Sequence, residues 1–411
     1  MSIAINNGTV LTFDAGTVLA KGSVLIENGV ITYVGTQEQK ADTVIDAAGK
    51  TVLPGLINLH DHVDRKSLRV YSRSIPFKEQ SDKLMEQSPI YLAFHAAKNL
   101  YDELCSGVTT IRDFGLFGSV SLHAKRALAD KVIVGPKLLT SGEPIAMTGG
   151  HATKWGSIEA DGVDAVVRAV RHNITSGADV IKMMASGGLG KYPEEDPGTP
   201  ELTEEELAAG VVTAHALKKK VAAHVYSTEA IDNCINARID TIEHGAFLTK
   251  RQAVRMRELG LAHVPTISGL APIAYQRILI GQEELGNQIL HDIIDRISES
   301  IRISAQNGVL LGAGTDTNGE MVEELEMIRD ATDWPLEKVI ATATVNAARI
   351  SDVNAGQLKT GLRGDVLIVD GNPLEDLNAL RSPYKVITPT AVVDGRPMPR
   401  GVRRAMLEGD A

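Results

Sequence analysis

Apolar residues recur along this chain in two rhythms. Near both ends they alternate with polar residues or cluster as β-branched runs around turn dipeptides. INNGTVLTF, GSVLIENGVITYVG and DTVIDAAGKTVLPG fall within the first 55 residues, and GDVLIVDGNP and YKVITPTAVVDGRPM lie near the other end. Asn-Gly, Asp-Gly and Pro breaks mark these as short strands joined by turns. Neither end has enough strands to stand alone. The pattern therefore predicts one small sheet domain assembled from residues 1–52 plus 354–411.

Residues 53–353 behave differently, alternating short apolar runs with longer helical patterns. The runs are LINLHDH, VTTIRDFG, PKLLTSGEP, ADVIKMMASGG, KVAAHVYS, DTIEHGA, LAHVPTIS and GVLLGAGTDT. Amphipathic stretches such as DGVDAVVRAVRHNITSGA and TEEELAAGVVTAHALKKK separate them. The second opens with Thr203 followed by Glu206, a capping-box signature. Strands alternating with helices predict an α/β fold, and eight of them a TIM-type (β/α)₈ barrel. The alternative, a doubly wound sheet, lacks its usual marks: no Gly-x-Gly-x-x-Gly follows the first strand and no P-loop occurs.

Composition narrows the function classes. Across 411 residues, 42 basic and 52 acidic side chains leave a net charge of −10, and aromatics make up 4%. An acidic chain with no Lys/Arg stripe and few stacking rings is not expected to bind nucleic acid. No run approaches the roughly 18 apolar residues that span a bilayer. MSIAINNGTVLTF lacks the basic-then-apolar pattern of a secretory leader. The two cysteines, Cys105 and Cys234, cannot make a disulfide framework and fit a reducing compartment. A cytoplasmic location is the expectation.

The polar residues that close the apolar runs carry the chemistry. His60 and His62 flank Asp61, and two residues apart on a strand share a face, so both imidazoles can point into a barrel mouth. His224 and His244 close later runs, and Asp316 closes the last. Alone, each histidine reads equally as a buried residue bonded to backbone, and Asp316 as a helix N-cap. Together, at successive strand ends, they form the nitrogen-and-carboxylate set that suits a divalent transition metal. Lys182 cannot ligate a cation as an ammonium. Set between an apolar run and a Gly-rich loop it would be desolvated, and a lysine of depressed pKa reacts with CO₂. The carbamate so formed is anionic and can bridge two metals.

These residues, in this order, resemble the amidohydrolase superfamily over the whole chain. PGLINLHDH is similar to its strand-1 motif, and both terminal β segments to its small sandwich domain. The resemblance implies a binuclear centre, with His60, His62 and Asp316 on the buried metal, His224 and His244 on the exposed one, and carbamylated Lys182 and a hydroxide bridging. GADVIKMMASGG, TPELTEEELAA, KVAAHVYS and DTIEHGAFLT resemble the prolidase-like branch, which hydrolyses dipeptides and N-acyl amino acids and has ochratoxin-amidase and imidazolonepropionase-like relatives. In that branch Tyr226 would polarise the scissile carbonyl and His151, in MTGGHATKW, would contact the substrate. Barrel packing for Tyr226 and loop capping for His151 are the ordinary alternatives.

The resemblance thus implies a metal-dependent amidohydrolase acting on a small-molecule amide or dipeptide. The bridging hydroxide would attack, and Asp316 would move its proton to the leaving nitrogen. Two divalent ions are expected. Zinc is the default, and Mn, Co, Ni or Fe suit the same ligands. A hydrolase of cyclic amides, lactams, imidazolone-type rings, xenobiotic amides or carbamates is the alternative; deaminase branches commonly use one metal and need no carbamate. A fold retained without catalysis would be expected to have lost ligands. Such barrels are often homo-oligomeric. The long basic segment 63–83 does not match the branch and leaves the substrate open.

Overall fold

The computed structural model describes residues 2–65, 79, 83, 86–189, 192 and 195–397. Most of the basic segment 63–83, and residues 398–411, lie outside that range.

Eight strands from the two ends of the chain form one mixed sheet: Ser2–Leu11, Val18–Glu27, Val30–Gly35, Thr43–Asp46, Lys50–Pro54, Val366–Asp370, Pro383–Ile387 and Val392–Asp394. The ends meet where Lys50–Pro54 runs antiparallel to Val366–Asp370, with Pro54 opposite Val366. Alternation along that pair buries both faces. Val52, Val366 and Ile368 join a core with Ile3, Val24 and Ile31. Leu53, Leu367 and Val369 point the other way, into the core that holds Leu100 and Leu104 of the helix Pro89–Cys105. Asn28 and Gly29, at φ 51° and 78°, form the two-residue hairpin turn expected of them. Asn7-Gly8 does not turn the chain. It lies within Ser2–Leu11, where the pairing register shifts on either side of Gly8 and Asn7 takes φ 66°, so the strand continues through the irregularity.

All eight apolar runs of the middle region are parallel strands. Leu56–Asp61, Val108–Asp113 and Lys137–Thr140 form one sheet. Val180–Met184, Lys220–Val225, Thr241–His244, Ala262–Val264 and Leu310–Leu311 form the other, extended by Ile145–Ala146 and Ile158–Glu159. Those two additions span two residues each, too short to leave a periodic signal. Backbone bonds join the sheets on both sides, from Asp179 N–H to Thr140 O (2.7 Å) and from Leu59 N–H to Ala313 O (3.0 Å). Every residue of Leu56–Asp61 and Val180–Met184 is buried, as expected of parallel strands covered on both faces. Helices separate most of the strands, and Glu204–Ala216 starts with the Thr203/Glu206 capping box. Cys105 and Cys234 are buried free thiols. Among the described residues no helix is long and apolar enough to cross a membrane.

Candidate active site

The parallel strands bring the sequence-predicted residues to one end of their sheets. Register sets Met184 beside His224 and Val225 beside His244, so the side chains converge from neighbouring strands. The imidazoles form a continuous row. Ring centroids lie 5.5 Å apart for His62 and His60, 5.0 Å for His60 and His244, and 4.6 Å for His244 and His224. His151 extends the row, stacked 4.1 Å from His224. Tyr226 stacks on His244 at 5.1 Å. Lys182 Nζ lies 4.1 Å above the Phe114 ring. All line one cavity of about 60 Å³, with Asp316 and Arg65. A larger cavity of about 700 Å³ sits elsewhere, lined by Lys220, Asp240, Ala262 and Leu310 near the starts of their strands, and neither the imidazole row nor Lys182, Tyr226 or Asp316 lines it. The chemistry follows the side chains, not the larger void.

Hydrogen bonds fix which nitrogen of each histidine is free. His60 Nδ1 donates to Glu243 Oε2 (2.8 Å), and His62 Nδ1 to Gly115 O (2.6 Å). His224 Nε2 donates to Gly187 O (3.2 Å). Thr266 gives its own proton to Pro265 O, so its oxygen accepts from His244 Nδ1 (2.6 Å). Each ring therefore keeps one lone pair: Nε2 on His60, His62 and His244, Nδ1 on His224. A partner on the far nitrogen is what orients a metal-ligating histidine. His60, His62 and Asp316 each offer a ligand atom within 4.8 Å of the others, a group that can hold a metal ion. Nε2 of His62 is 3.5 Å from Asp316 Oδ1. Lys182 Nζ is buried with no hydrogen-bond partner among the described residues. Neutral imidazoles, a carboxylate and an orphaned amine fit a site completed by a cation and an acid derivative of that amine.

Burial sets the protonation states. It drives His60, His224 and His244 well below the usual histidine range, with nearby Lys182 adding to the effect, and pushes His62 down to about 4. All four are neutral at pH 7, as metal ligands must be. Burial also lowers Lys182 to about 8. Burial alone would raise Asp316, but the positive charge that His60 and His62 take on in acid, together with the Thr317 N–H, outweighs it and holds the carboxyl below its ordinary range. Tyr226, buried and near Asp316, is raised well above the phenol range and keeps its proton.

Three non-glycine residues here, His244 (φ 68°), Thr266 (53°) and Asp316 (51°), adopt left-handed backbone. Such strain persists where surrounding structure dictates it, and it re-aims the strand ends toward the cavity. Gly269 allows the approach beneath Asp316, since a Cβ there would meet Thr315 O at 2.3 Å.

Several contributors escaped the sequence reading. Glu243 bridges His60 to Arg112, whose guanidinium also reaches Leu59 O and Thr241. The signal was present in DTIEHGA, where Glu243 precedes a strand-end histidine, but nothing marked its side chain as inward. His263 is a support: Nε2 bonds His244 O and Nδ1 bonds Ser304. Glu195 pairs with His151 Nδ1 at 2.6 Å across a 44-residue separation that no local pattern reveals. Asp113, another polar strand end, stays out of the histidine row. Its carboxylate takes the Val63 and Gly115 N–H groups and clamps the loops around His62.

The Amidohydrolase family pattern matches residues 51–398. The chain is 26% identical over 406 residues to ochratoxinase from Aspergillus niger, covering 90% of this chain and 82% of that protein. It is 24% identical over 420 residues to a 5'-deoxyadenosine deaminase from Methanosarcina mazei, covering 90% and 84%. Among solved structures, a Xaa-Pro dipeptidase with methionine bound in its active site superposes with TM-score 0.84 at 26% identity, covering 96% of this chain and all of that one. A row of oriented, neutral imidazoles at the ends of parallel strands thus sits within a sequence pattern that spans most of the chain, and the protein belongs to the amidohydrolase family of hydrolytic enzymes.

Proposed function

We propose that this protein hydrolyses the amide bond of a dipeptide, an N-acyl amino acid or a similar small amide, using two divalent metal ions. The observation that supports this most is the histidine row, in which His60, His62, His224 and His244 each have one nitrogen tied down and the other left with its lone pair, all lining one cavity with Lys182 and Asp316. His60, His62 and Asp316 would hold one ion and His224 and His244 the other, with carbamylated Lys182 between them. The ions, zinc by default, supply a water of lowered pKa and a Lewis acid for the carbonyl. Asp316, kept ionised, accepts the attacking water's proton and delivers it to the leaving nitrogen. Tyr226, kept protonated, donates to the carbonyl oxygen as charge develops there. His151, held by Glu195, contacts the rest of the substrate.

The two parallel sheets read as one eight-stranded barrel, and the sheet from both chain ends as its flanking domain. Exposed Ile90 and Phe94 favour a homo-oligomer that covers them. The test is a screen of dipeptides and N-acyl amino acids on protein of quantified metal content. Turnover with about two ions per chain supports the reading. Turnover only on ring amidines or lactams, with about one ion, would favour the second reading, which the deaminase relative motivates.

A further inference from the structure

The helix Ile267–Leu279 starts against the site, and its first turn is not capped in the ordinary way. Thr203 and Thr249 cap their own helices, each hydroxyl accepting a first-turn N–H. Thr266 holds the same position but makes no side-chain cap bond. Its backbone is left-handed, at φ 53°, and its hydroxyl is committed elsewhere. The oxygen accepts from His244 Nδ1, and the proton goes to Pro265 O. Ile267, Ser268 and Gly269 are buried, so their N–H groups need acceptors from the protein.

Glu324 supplies one from another helix. It lies in Met321–Thr332, eight residues beyond Asp316, and is fully buried. Its Oε2 accepts the Ser268 N–H at 2.8 Å. Burial raises this carboxyl to about 8, against the pull of the Ser268 and Ile267 N–H groups. The turn it holds touches the site on two sides. Thr266, at its start, orients His244. On the other side, a Cβ on Gly269 would meet Thr315 O at 2.3 Å and Asp316 Cβ at 2.6 Å. A Cβ on Gly319 would meet Ser268 Oγ at 2.4 Å and Gly269 N at 2.7 Å. The loop that carries Asp316 is thus pressed onto this turn without slack, and a shift of the turn moves the carboxylate.

We infer that Glu324 is a positioning residue: capping the helix in place of Thr266, it fixes both the oxygen that orients His244 and the floor beneath Asp316. The inference rests on the metal-hydrolase reading, in which those two residues are ligands.

The test uses Glu324→Leu, which removes the acceptor at similar bulk, and Glu324→Gln, which keeps an acceptor oxygen of the same reach. Three properties of the full chain are followed: the visible spectrum with Co²⁺ bound, kcat and KM on an amide the wild type cleaves, and amide hydrogen exchange. Glu324→Leu should alter the Co²⁺ bands and lower kcat by about 10- to 100-fold with little change in KM. Exchange should quicken in residues 266–269 and 315–319 alike. Glu324→Gln should match the wild type in all three, because at pH 7 the native carboxyl is itself largely uncharged. The proposal is overturned if Glu324→Leu has no effect or Glu324→Gln does equal damage. It is also overturned if faster exchange stays within 266–269 and the Co²⁺ spectrum is unchanged. Should Glu324→Leu not fold, Glu324→Asp, whose acceptor stops one methylene short, is read in the same way. A wild type that takes up no Co²⁺ or cleaves no amide counts against the metal-hydrolase reading. Hydrogen exchange needs neither and still decides: quickening of both segments upholds the role of Glu324, and quickening of the first alone, or of neither, overturns it.

Discussion

Asp316 and Lys182 do opposite things with one burial. Despite burial the carboxylate keeps its charge, with the Thr317 N–H donating to it, while burial eases the amine toward neutrality. Asp316→Asn should abolish turnover with most metal retained; activity lost only in step with metal would contradict its role in moving protons. The neutral fraction of Lys182 rises as pH climbs toward about 8, so at a fixed concentration of dissolved CO₂ the label from ¹³CO₂ should be incorporated faster as pH rises toward that value, and not at all in Lys182→Ala. The histidines give the stability profile its sign. A histidine lowered from 6.5 to about 4, as His62 is, binds fewer protons folded than unfolded between those values. Stability of metal-free protein should therefore be full above pH 6.5 and fall as pH drops toward 4, by on the order of 3 kcal/mol from His62 alone. Urea titrations across that range check it. Breaking the buried Glu243–Arg112 pair with Arg112→Met should cost roughly 3–5 kcal/mol and loosen His60. His60, His62, Lys182, His224, His244 and Asp316 announced themselves at the ends of apolar runs, whereas His151 and Tyr226 were named by resemblance alone. Glu243 and Arg112 did not announce themselves, because each acts through a partner whose nearness only the folded chain creates.

At the scale of elements, strand identity was legible where runs were long and apolar, since full burial on both faces demands such runs. The two-residue strands and the irregularity at Asn7-Gly8 were not, because local turn chemistry there gives way to pairing with Val18–Glu27. The loop after the last parallel strand is shaped by the helix Ile267–Leu279 pressed beneath it. Gly269→Ala would set a Cβ 2.6 Å from that of Asp316. It should displace the carboxylate and lower kcat by more than about tenfold, at a stability cost of roughly 1–3 kcal/mol. Paired kinetics and thermal melts separate the two effects.

For the whole molecule, the terminal sheet is the seam. Lys50–Pro54 takes its neighbour from Val366–Asp370, and the helix Pro89–Cys105 packs on the apolar face that this pair completes. Truncation after residue 353 should leave that face open and abolish cooperative unfolding, as followed by circular dichroism. The composite sheet was predicted from two halves that each lacked strands, an argument from insufficiency and not from any local motif. The same seam imposes a schedule on synthesis. The strand at Lys50–Pro54 emerges from the ribosome before its partner exists, and at about 5–20 residues per second the wait is roughly 15–60 seconds. Through that interval an apolar strand edge stands unpaired while the strands that carry the histidine row form behind it. The enzyme's first-made segment is thus among its last to settle, and the yield of active protein depends on how that edge is sheltered in the meantime.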